Sequence, residues 1–165
     1  MFSRVVNGSV SFFVSLMDVG EQPYGVHIAD FDGDGFPDVV VSNQGSNSIS
    51  VLKNPASPST FAPTFAPPVS FFVGRSPIGL WAADYNQDGK LDVAVCAENM
   101  ISVLLNTATG NGQLAFSTTP SFFGAGNGPV ELIGADLEKD GGERESSCVF
   151  FFFLFLCSSF FFVRY

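Results

Sequence analysis

The feature that most constrains this chain is an acidic motif that recurs at a nearly constant spacing. Residues 23–41 align without a gap with residues 77–95, an offset of 54 residues, and a third copy begins at Pro129, 52 residues after Pro77. Self-similarity at a period of this length is typical of solenoids, propellers and other repeat arrays. We therefore expect a series of similar folding units.

Other landmarks recur as well. The segment 49–54 matches 101–106, and Ser-Phe-Phe occurs at 11–13, 70–72 and 121–123. Between Gly, Pro and Asn breakers, each unit contains short runs of β-branched and aromatic residues, which predict strands. Four short strands in a unit of about 50 residues are typical of a propeller blade. A solenoid of hairpins is the competing geometry.

We predict an all-β fold of about three four-stranded β-propeller blades, which form an incomplete propeller. The predicted units are the last strand of a preceding repeat (1–20), a first blade (21–74), a second blade (75–126), a truncated third repeat (127–145) and a Phe-rich tail (146–165). Because closed propellers have roughly four to eight blades, this predicts a fragment, an open array or a protomer that completes a ring with its copies. Open blades leave unpaired strand edges, which predict self-association.

The first acidic loop has the pattern of a site for a hard cation. Side-chain oxygens occupy positions 1, 3, 5 and 9 of this loop, and a glycine at position 6 permits the sharp turn that brings the early ligands together. These ligands are Asp30, Asp32, Asp34 and Asp38. With the backbone carbonyl of Phe36 at position 7, the set predicts calcium, which accepts six to eight oxygens, rather than magnesium, which keeps its waters.

The other two copies depart from this pattern. The predicted ligands of the second loop are Asp84, Asn86, Asp88, the backbone carbonyl of Lys90, and Asp92. Because Asn86 is neutral, we expect this loop to bind calcium more weakly than the first. The third loop supplies Asp136, Glu138 and Asp140, but an arginine follows at position 9 and no Val-rich strand comes after it, so we expect an incomplete site.

Two other interpretations of the acidic loops are less favoured. An EF-hand needs a glutamate at position 12, where this chain has Val41 and Val95 within Val-rich strands. The acids could also decorate ordinary turns. However, carboxylates within roughly 5 Å of one another repel by about 3 kcal/mol per pair at an effective dielectric constant near 20, and a simple turn would avoid this cost.

The charge and the motif content limit the function. Sixteen acidic and seven basic residues give a net charge of -9, which argues against a nucleic-acid partner and favours a cation. The three cysteines form neither a disulfide framework nor a zinc pattern, and no phosphate loop, G-x-S-x-G or H-E-x-x-H motif is present. We therefore predict no enzyme. His27, Trp81 and Cys96 are interpreted as packing residues.

These repeats resemble the FG-GAP and VCBS-type repeats of integrin α-subunit propellers and secreted repeat proteins, over about residues 11–141. The resemblance implies a calcium-stabilised propeller, extracellular or at the cell surface, whose top-face loops bind proteins or glycans, as in cell adhesion. It does not imply the ligand binding of integrins, which needs a partner subunit. The alternatives are a truncated product without independent function and part of a propeller enzyme that acts on polysaccharide.

The two ends of the chain add little to this prediction. In residues 148–163, eight of sixteen residues are Phe, which favours translated noncoding sequence. A membrane span and a buried strand are the alternatives, although sixteen helical residues reach only about 24 Å of a ~30 Å hydrocarbon core. Membrane association is expected only if this tail is genuine. The N-terminus lacks the compact apolar region of a signal peptide.

Overall fold

A computed structural model describes residues 16–55, 65–110 and 112–125 with their side chains, together with Leu132 and the backbone of the remaining strands. All regular structure among the described residues is β, which confirms the predicted all-β class. The thirteen described strands are β1 (Phe2–Val6), β2 (Ser9–Phe13), β3 (Pro23–Ala29), β4 (Asp38–Asn43), β5 (Ser48–Leu52), β6 (Val69–Phe72), β7 (Pro77–Ala83), β8 (Asp92–Ala97), β9 (Met100–Leu104), β10 (Ser121–Gly124), β11 (Leu132–Asp136), β12 (Cys148–Phe152) and β13 (Phe160–Phe162).

Two four-stranded antiparallel sheets form the centre of the molecule. The first sheet has the order β3-β4-β5-β6, and the second sheet runs β7-β8-β9-β10. Their registers are equivalent: Val40 lies opposite His27 and Val51, and Ala94 lies opposite Trp81 and Val103. Sequential up-and-down strands of this kind form propeller blades, as the incomplete-propeller prediction requires.

The other described strands belong to two smaller sheets. Strands β1 and β2 form an antiparallel pair, and β11, β12 and β13 form a three-stranded antiparallel sheet. The first strands of the three repeats lie side by side, because β3 contacts β7 and β7 contacts β11. This arrangement places the first strand of each repeat nearest the axis around which the blades would turn. Nowhere in these described parts is there a helix long and apolar enough to cross a membrane.

The main hydrophobic core lies between the first and second sheets. Strand β4 directs Val40 toward the second sheet, and β8 directs Val93 and Val95 back toward the first; all three are fully buried. Because side chains alternate between faces along a strand, Ala94 and Cys96 instead pack on the opposite face of the second sheet, with Leu132 of β11. The second sheet is therefore packed on both faces, which explains why every residue of β8 is buried.

Candidate metal centre

The first acidic loop, residues 30–38, connects β3 to β4 and is organised by its own aspartates. The Asp30 carboxylate accepts hydrogen bonds from the amides of Gly33 and Gly35, both at 2.8 Å, and from that of Asp34 at 3.2 Å. Gly33 and Gly35 have φ angles of 74° and 87°. This left-handed backbone is readily accessible to glycine and lets the amides turn inward around one carboxylate.

The second acidic loop, residues 84–92, connects β7 to β8 with the same hydrogen-bond pattern. The Asp84 carboxylate accepts from the amides of Asp88 at 3.1 Å and Gly89 at 2.7 Å. The Asp88 carboxylate accepts from the Lys90 amide at 3.0 Å, as that of Asp34 accepts from the Phe36 amide at 2.9 Å. The repeated sequence therefore produces a repeated backbone.

The aspartate at position 9 of each loop anchors the loop to the sheet. Asp38 is fully buried, and its two oxygens accept from the amides of Phe31 at 3.1 Å and Asn54 at 2.9 Å. Asp92, also fully buried, accepts from the amides of Tyr85 at 2.9 Å and Asn106 at 2.7 Å. Each pair of bonds ties the start of a loop to the end of the third strand of its sheet.

Asn54 and Asn106, whose amides bind these aspartates, are structural residues that were not predicted from the sequence. The signal that could have found them is their recurrence at the end of the matching segments 49–54 and 101–106. Asn106 also donates from Nδ2 to the carbonyl oxygens of Phe31 at 2.7 Å and Leu91 at 3.0 Å. One side chain therefore links the first loop to the second.

Three carboxylates of the first loop converge. One oxygen each from Asp30, Asp32 and Asp38 lies within 4.8 Å of the others, and Asp32 and Asp38 are buried. No other three acidic, histidine or cysteine side chains come this close within the described ranges, since the second loop has Asn86 at the position of Asp32. Close convergence of buried carboxylates is electrostatically costly unless a cation lies among them.

A cation from the protein itself lies at the edge of this cluster. The Lys53 ammonium, just after β5, forms ion pairs with the carboxylates of Asp32 and Asp34, the latter at 3.0 Å. The matching position of the second repeat is Leu105. There, Asp88 instead pairs with the ammonium of Lys90, within its own loop, at 3.4 Å. Lys53 is thus a feature of the first loop that the sequence analysis did not predict.

Burial and ion pairing shift the pKa values of the loop carboxylates in opposite directions. Burial raises the pKa of Asp38 and of Asp92, although two backbone amides oppose the shift at each residue. Burial also acts to raise the pKa of Asp34, but the Phe36 amide and the Lys53 ammonium outweigh it, so this pKa lies below its ordinary value. A buried carboxylate with a raised pKa gains most from a nearby cation.

The second repeat covers the first loop. A Cβ atom built on Gly112 would lie 3.5 Å from the Lys53 Nζ and 3.9 Å from the Asp32 Oδ2. Residues 108 and 110 line a small cleft of about 150 Å³ that also touches Asp30 and Asp32. The acids of the first loop are therefore shielded from solvent by a connection of the neighbouring repeat.

The other residues singled out from the sequence lie outside the first two acidic loops. The backbone of Asp136 ends β11, and Glu138 and Asp140 of the third loop lie outside the described residues. Cys96 is buried in the core, as predicted. His27 and Trp81, equivalent residues of the two repeats, pack edge to face with ring centroids 5.4 Å apart.

One larger groove lies beside Lys53, and its described lining holds no pair of carboxyl groups. It encloses about 460 Å³ between β5, β6 and residues 112–116. Apolar side chains such as Val51, Phe71 and Leu114 dominate the described lining, which contains one ionisable side chain, that of Lys53. Glycoside hydrolysis generally uses two carboxyl groups that flank the scissile bond, and this lining offers none.

Sheet topology and repeated loops together define a repeat protein of the β-propeller type. The model for the FG-GAP-like repeat family matches residues 30–95 and again residues 84–142, more than half of the chain. The chain therefore belongs to the FG-GAP-like repeat family, and the predicted resemblance is confirmed. Repeats of this family are typically non-enzymatic binding or structural modules of extracellular proteins. No curated protein and no solved structure matches the chain.

Proposed function

We propose that this chain is a calcium-binding, non-enzymatic repeat module in which calcium stabilises the blades. The convergence of one oxygen each from Asp30, Asp32 and Asp38 within 4.8 Å carries the proposal. Oxygen ligands at positions 1, 3, 5 and 9 with glycine at position 6 are the ligand types and the turn that calcium loops use. The same spacing in the second loop supports a second site there.

The residues present fit calcium. Asp30, Asp32, Asp34 and Asp38, with the Phe36 carbonyl, would hold the ion in the first loop. Each carboxylate oxygen has more than one lone pair, so an oxygen that accepts an amide bond can still bind a metal. In the second loop, the ligands would be Asp84, Asn86, Asp88, the Lys90 carbonyl and Asp92, with one carboxylate fewer.

Bound calcium would act on the fold through the loop anchors. Asp38 and Asp92 already tie their loops to the sheets through two backbone amides each. A cation beside these buried carboxylates would offset their desolvation and their mutual repulsion. Any ligand that binds only the folded state adds to stability, by about 2.7 kcal/mol at a concentration of 100 times its Kd.

The setting we propose is extracellular or at the cell surface, with a protein or glycan ligand and a role in adhesion. Its support is the family membership, because FG-GAP repeats typically occur in extracellular proteins. Calcium sites of extracellular modules typically have dissociation constants of about 10⁻⁴–10⁻³ M, so even sites of modest affinity suit this setting.

The experiment is a calorimetric titration of calcium into the full chain, with the variants Asp34→Ala and Asp88→Ala. We expect about two sites, each lost with its own substitution, and a rise in melting temperature on calcium addition. The matched control is Asp18→Asn, which removes an exposed acidic charge outside both loops. It should leave both sites intact.

A folded chain that gives neither heat nor thermal stabilisation with calcium would refute the proposal. In that case, the acids serve only to organise the loop backbone. If Asp18→Asn weakened binding as much as the loop substitutions, the signal would come from the overall charge of the chain and not from defined sites.

A further inference from the structure

Asn106 is a buried residue whose amide hydrogens all reach the two acidic loops. Its backbone amide donates to the Asp92 carboxylate at 2.7 Å, and its Nδ2 donates to the carbonyl oxygens of Leu91 at 3.0 Å and Phe31 at 2.7 Å. Asp92 and Leu91 belong to the second loop, whereas Phe31 belongs to the first. Because Asn106 is 1 % exposed, water does not replace a bond that breaks, and each bond constrains both loops.

The groups that Asn106 contacts are adjacent to the predicted calcium ligands or are ligands themselves. Phe31 lies between Asp30 and Asp32, at positions 1 and 3 of the first loop, and Asp92 is at position 9 of the second. The Phe31 carbonyl and the Asp32 amide belong to one planar peptide unit. A bond to that carbonyl therefore fixes the backbone at Asp32.

Asn106 also holds the connection that covers the first loop. Its Oδ1 accepts a hydrogen bond from the Ala108 amide at 3.0 Å. Ala108 lines the cleft of about 150 Å³ that touches Asp30 and Asp32 of the first loop and Lys90 of the second. The two loops are therefore close neighbours, and Asn106 holds one wall of the space between them.

Asn54 is the equivalent residue of the first repeat and provides an internal comparison. Its amide donates to the Asp38 carboxylate at 2.9 Å, and its Nδ2 donates to the Pro37 carbonyl at 3.2 Å. Asn106 makes the same two bonds within its own repeat. Among the described residues, Asn54 has no counterpart of the bond to the Phe31 carbonyl. The bonds within a repeat are thus shared, and the bond between repeats belongs to Asn106.

We propose that Asn106 couples the two calcium sites, so that filling one loop raises the calcium affinity of the other. The inference rests on the proposed function, because it needs calcium in both loops. Without calcium, repulsion among the carboxylates of a loop opposes a single fixed backbone. A second loop fixed by calcium holds Asp92 and Asn106 in place, and Asn106 then holds the Phe31 carbonyl, so the first site loses less freedom when it fills. Linkage makes the effect reciprocal.

Direct repulsion between two bound cations acts in the opposite direction. It weakens with salt, because the Debye length falls from about 8 Å at physiological ionic strength to about 3 Å at 1 M. The hydrogen bonds of the buried Asn106 side chain do not depend on salt in this way. Coupling through Asn106 should therefore persist or increase when salt is added.

The test is calorimetric titration of calcium into the full chain, and into Asp34→Ala and Asp88→Ala, which each keep one site. The coupling factor is the product of the two single-site dissociation constants divided by the product of the two wild-type constants, and we expect at least about fivefold. Asn106→Ala keeps the amide that binds Asp92 and removes the side-chain link, so in all three backgrounds it should bring the factor to about one. The matched control, Asn54→Ala, should leave the factor within about twofold of wild type.

Hydrogen exchange gives a second readout that needs no substitution at Asn106. In Asp34→Ala, calcium should bind the second loop only. The amides of residues 31–36 in the first loop should then exchange more slowly than in chelator, because the first loop is held through the Phe31 carbonyl. This measurement decides the proposal if far-UV circular dichroism shows that Asn106→Ala does not fold.

The outcomes separate the coupling from the calcium sites themselves. Two measured sites with no positive coupling overturn the inference and leave the proposed function standing. The same holds for a coupling factor that Asn106→Ala leaves unchanged, that Asn54→Ala removes equally, or that salt abolishes, and for exchange in the first loop that calcium does not slow. A folded wild-type chain that gives no heat with calcium refutes the proposed function instead, and the coupling with it.

Discussion

The first and second acidic loops have equivalent backbones, and their surroundings differ. In each loop the position-1 aspartate accepts amides from within the loop, and the position-9 aspartate accepts two amides that tie the loop to its sheet. In the first loop, however, Lys53 contacts the acids and the second repeat covers them. In the second loop, Leu105 replaces that lysine and Asn86 and Asp88 are exposed.

This difference separates two roles that one motif combines. The carboxylates that accept backbone amides build the loop, and they are present in both repeats. The carboxylates that pair with a lysine differ between the repeats: Asp32 and Asp34 pair with Lys53 in the first loop, and Asp88 pairs with Lys90 in the second. Asn86 removes a negative charge from the second loop, whereas Lys53 neutralises part of the charge in the first. Substitutions at matched positions can therefore test each role separately.

The largest expected effect comes from removing a position-9 anchor. Asp92→Ala should lower the free energy of unfolding by about 3–5 kcal/mol, because it leaves the Tyr85 and Asn106 amides without their charged acceptor. Asp38→Ala should cost somewhat less, since β4 is only partly buried whereas β8 is buried throughout. Urea denaturation in chelator measures both.

The control for this pair is Asp88→Ala. Its carboxylate lies at an exposed position, so the substitution should leave the free energy of unfolding nearly unchanged without calcium. Equal losses for Asp88→Ala and Asp92→Ala would contradict the division into anchoring and cation-facing acids.

The shared part of the two loops was predictable from sequence, and the different part was not. A nearly constant period, Val-rich strands and glycine at position 6 are visible in the sequence itself, and they predicted the blades and the loop backbone. Lys53 lies fifteen residues beyond Asp38, and its contact with Asp32 depends on how β5 returns past the loop. The exposure of Tyr24, Val26 and Ile28 on β3 depends on packing between repeats, which no local pattern encodes.

The position-9 aspartates also have one role that the sequence predicted and one that it did not. Asp38 and Asp92 were predicted as metal ligands only, because spacing alone compares them with other calcium loops. Their full burial and their bonds to Asn54 and Asn106 arise from the third strand of each sheet. A residue can satisfy a ligand pattern and also hold the fold, and the pattern shows only the first role.

The next effect concerns calcium affinity. Lys53→Met keeps the apolar stem and removes the charge, so Asp32 and Asp34 would be free for a metal. We expect calcium affinity at the first site to rise about tenfold, which corresponds to about 1.4 kcal/mol. Leu105→Lys introduces an ammonium at the equivalent position of the second repeat and should weaken the second site. Calorimetry measures the first site alone in an Asp88→Ala background and the second site alone in an Asp34→Ala background.

Lys53→Arg is the matched control for this exchange. It keeps the positive charge and should leave the affinity of the first site within about threefold of wild type. A rise in affinity for the arginine variant equal to that for Lys53→Met would mean that packing, and not the charge, limits binding at the first loop.

A smaller effect should come from backbone conformation at position 4. Gln87 has a φ of 59°, in the left-handed region, where the first loop has Gly33 with a φ of 74°. A side chain in this region strains the backbone, so Gln87→Gly should stabilise the chain by about 0.5–1 kcal/mol. The measurement is the melting temperature, which should rise by about 1–4 °C for a chain of this length. The reciprocal Gly33→Gln should lower it, and a gain in stability from that variant would contradict the explanation.

The smallest effect concerns the equivalent pair His27 and Trp81. Burial lowers the pKa of His27 below 6.5, so its neutral form is favoured in the folded chain. The resulting stability is present above the unfolded pKa of about 6.5 and is lost as pH falls through the folded value. Between pH 7.5 and 5, wild type should therefore lose more thermal stability than His27→Gln. Because the two proteins share all other titrating groups, subtracting their pH profiles isolates the imidazole. A steeper loss for the glutamine variant would mean that the Trp81 contact holds the protonated ring.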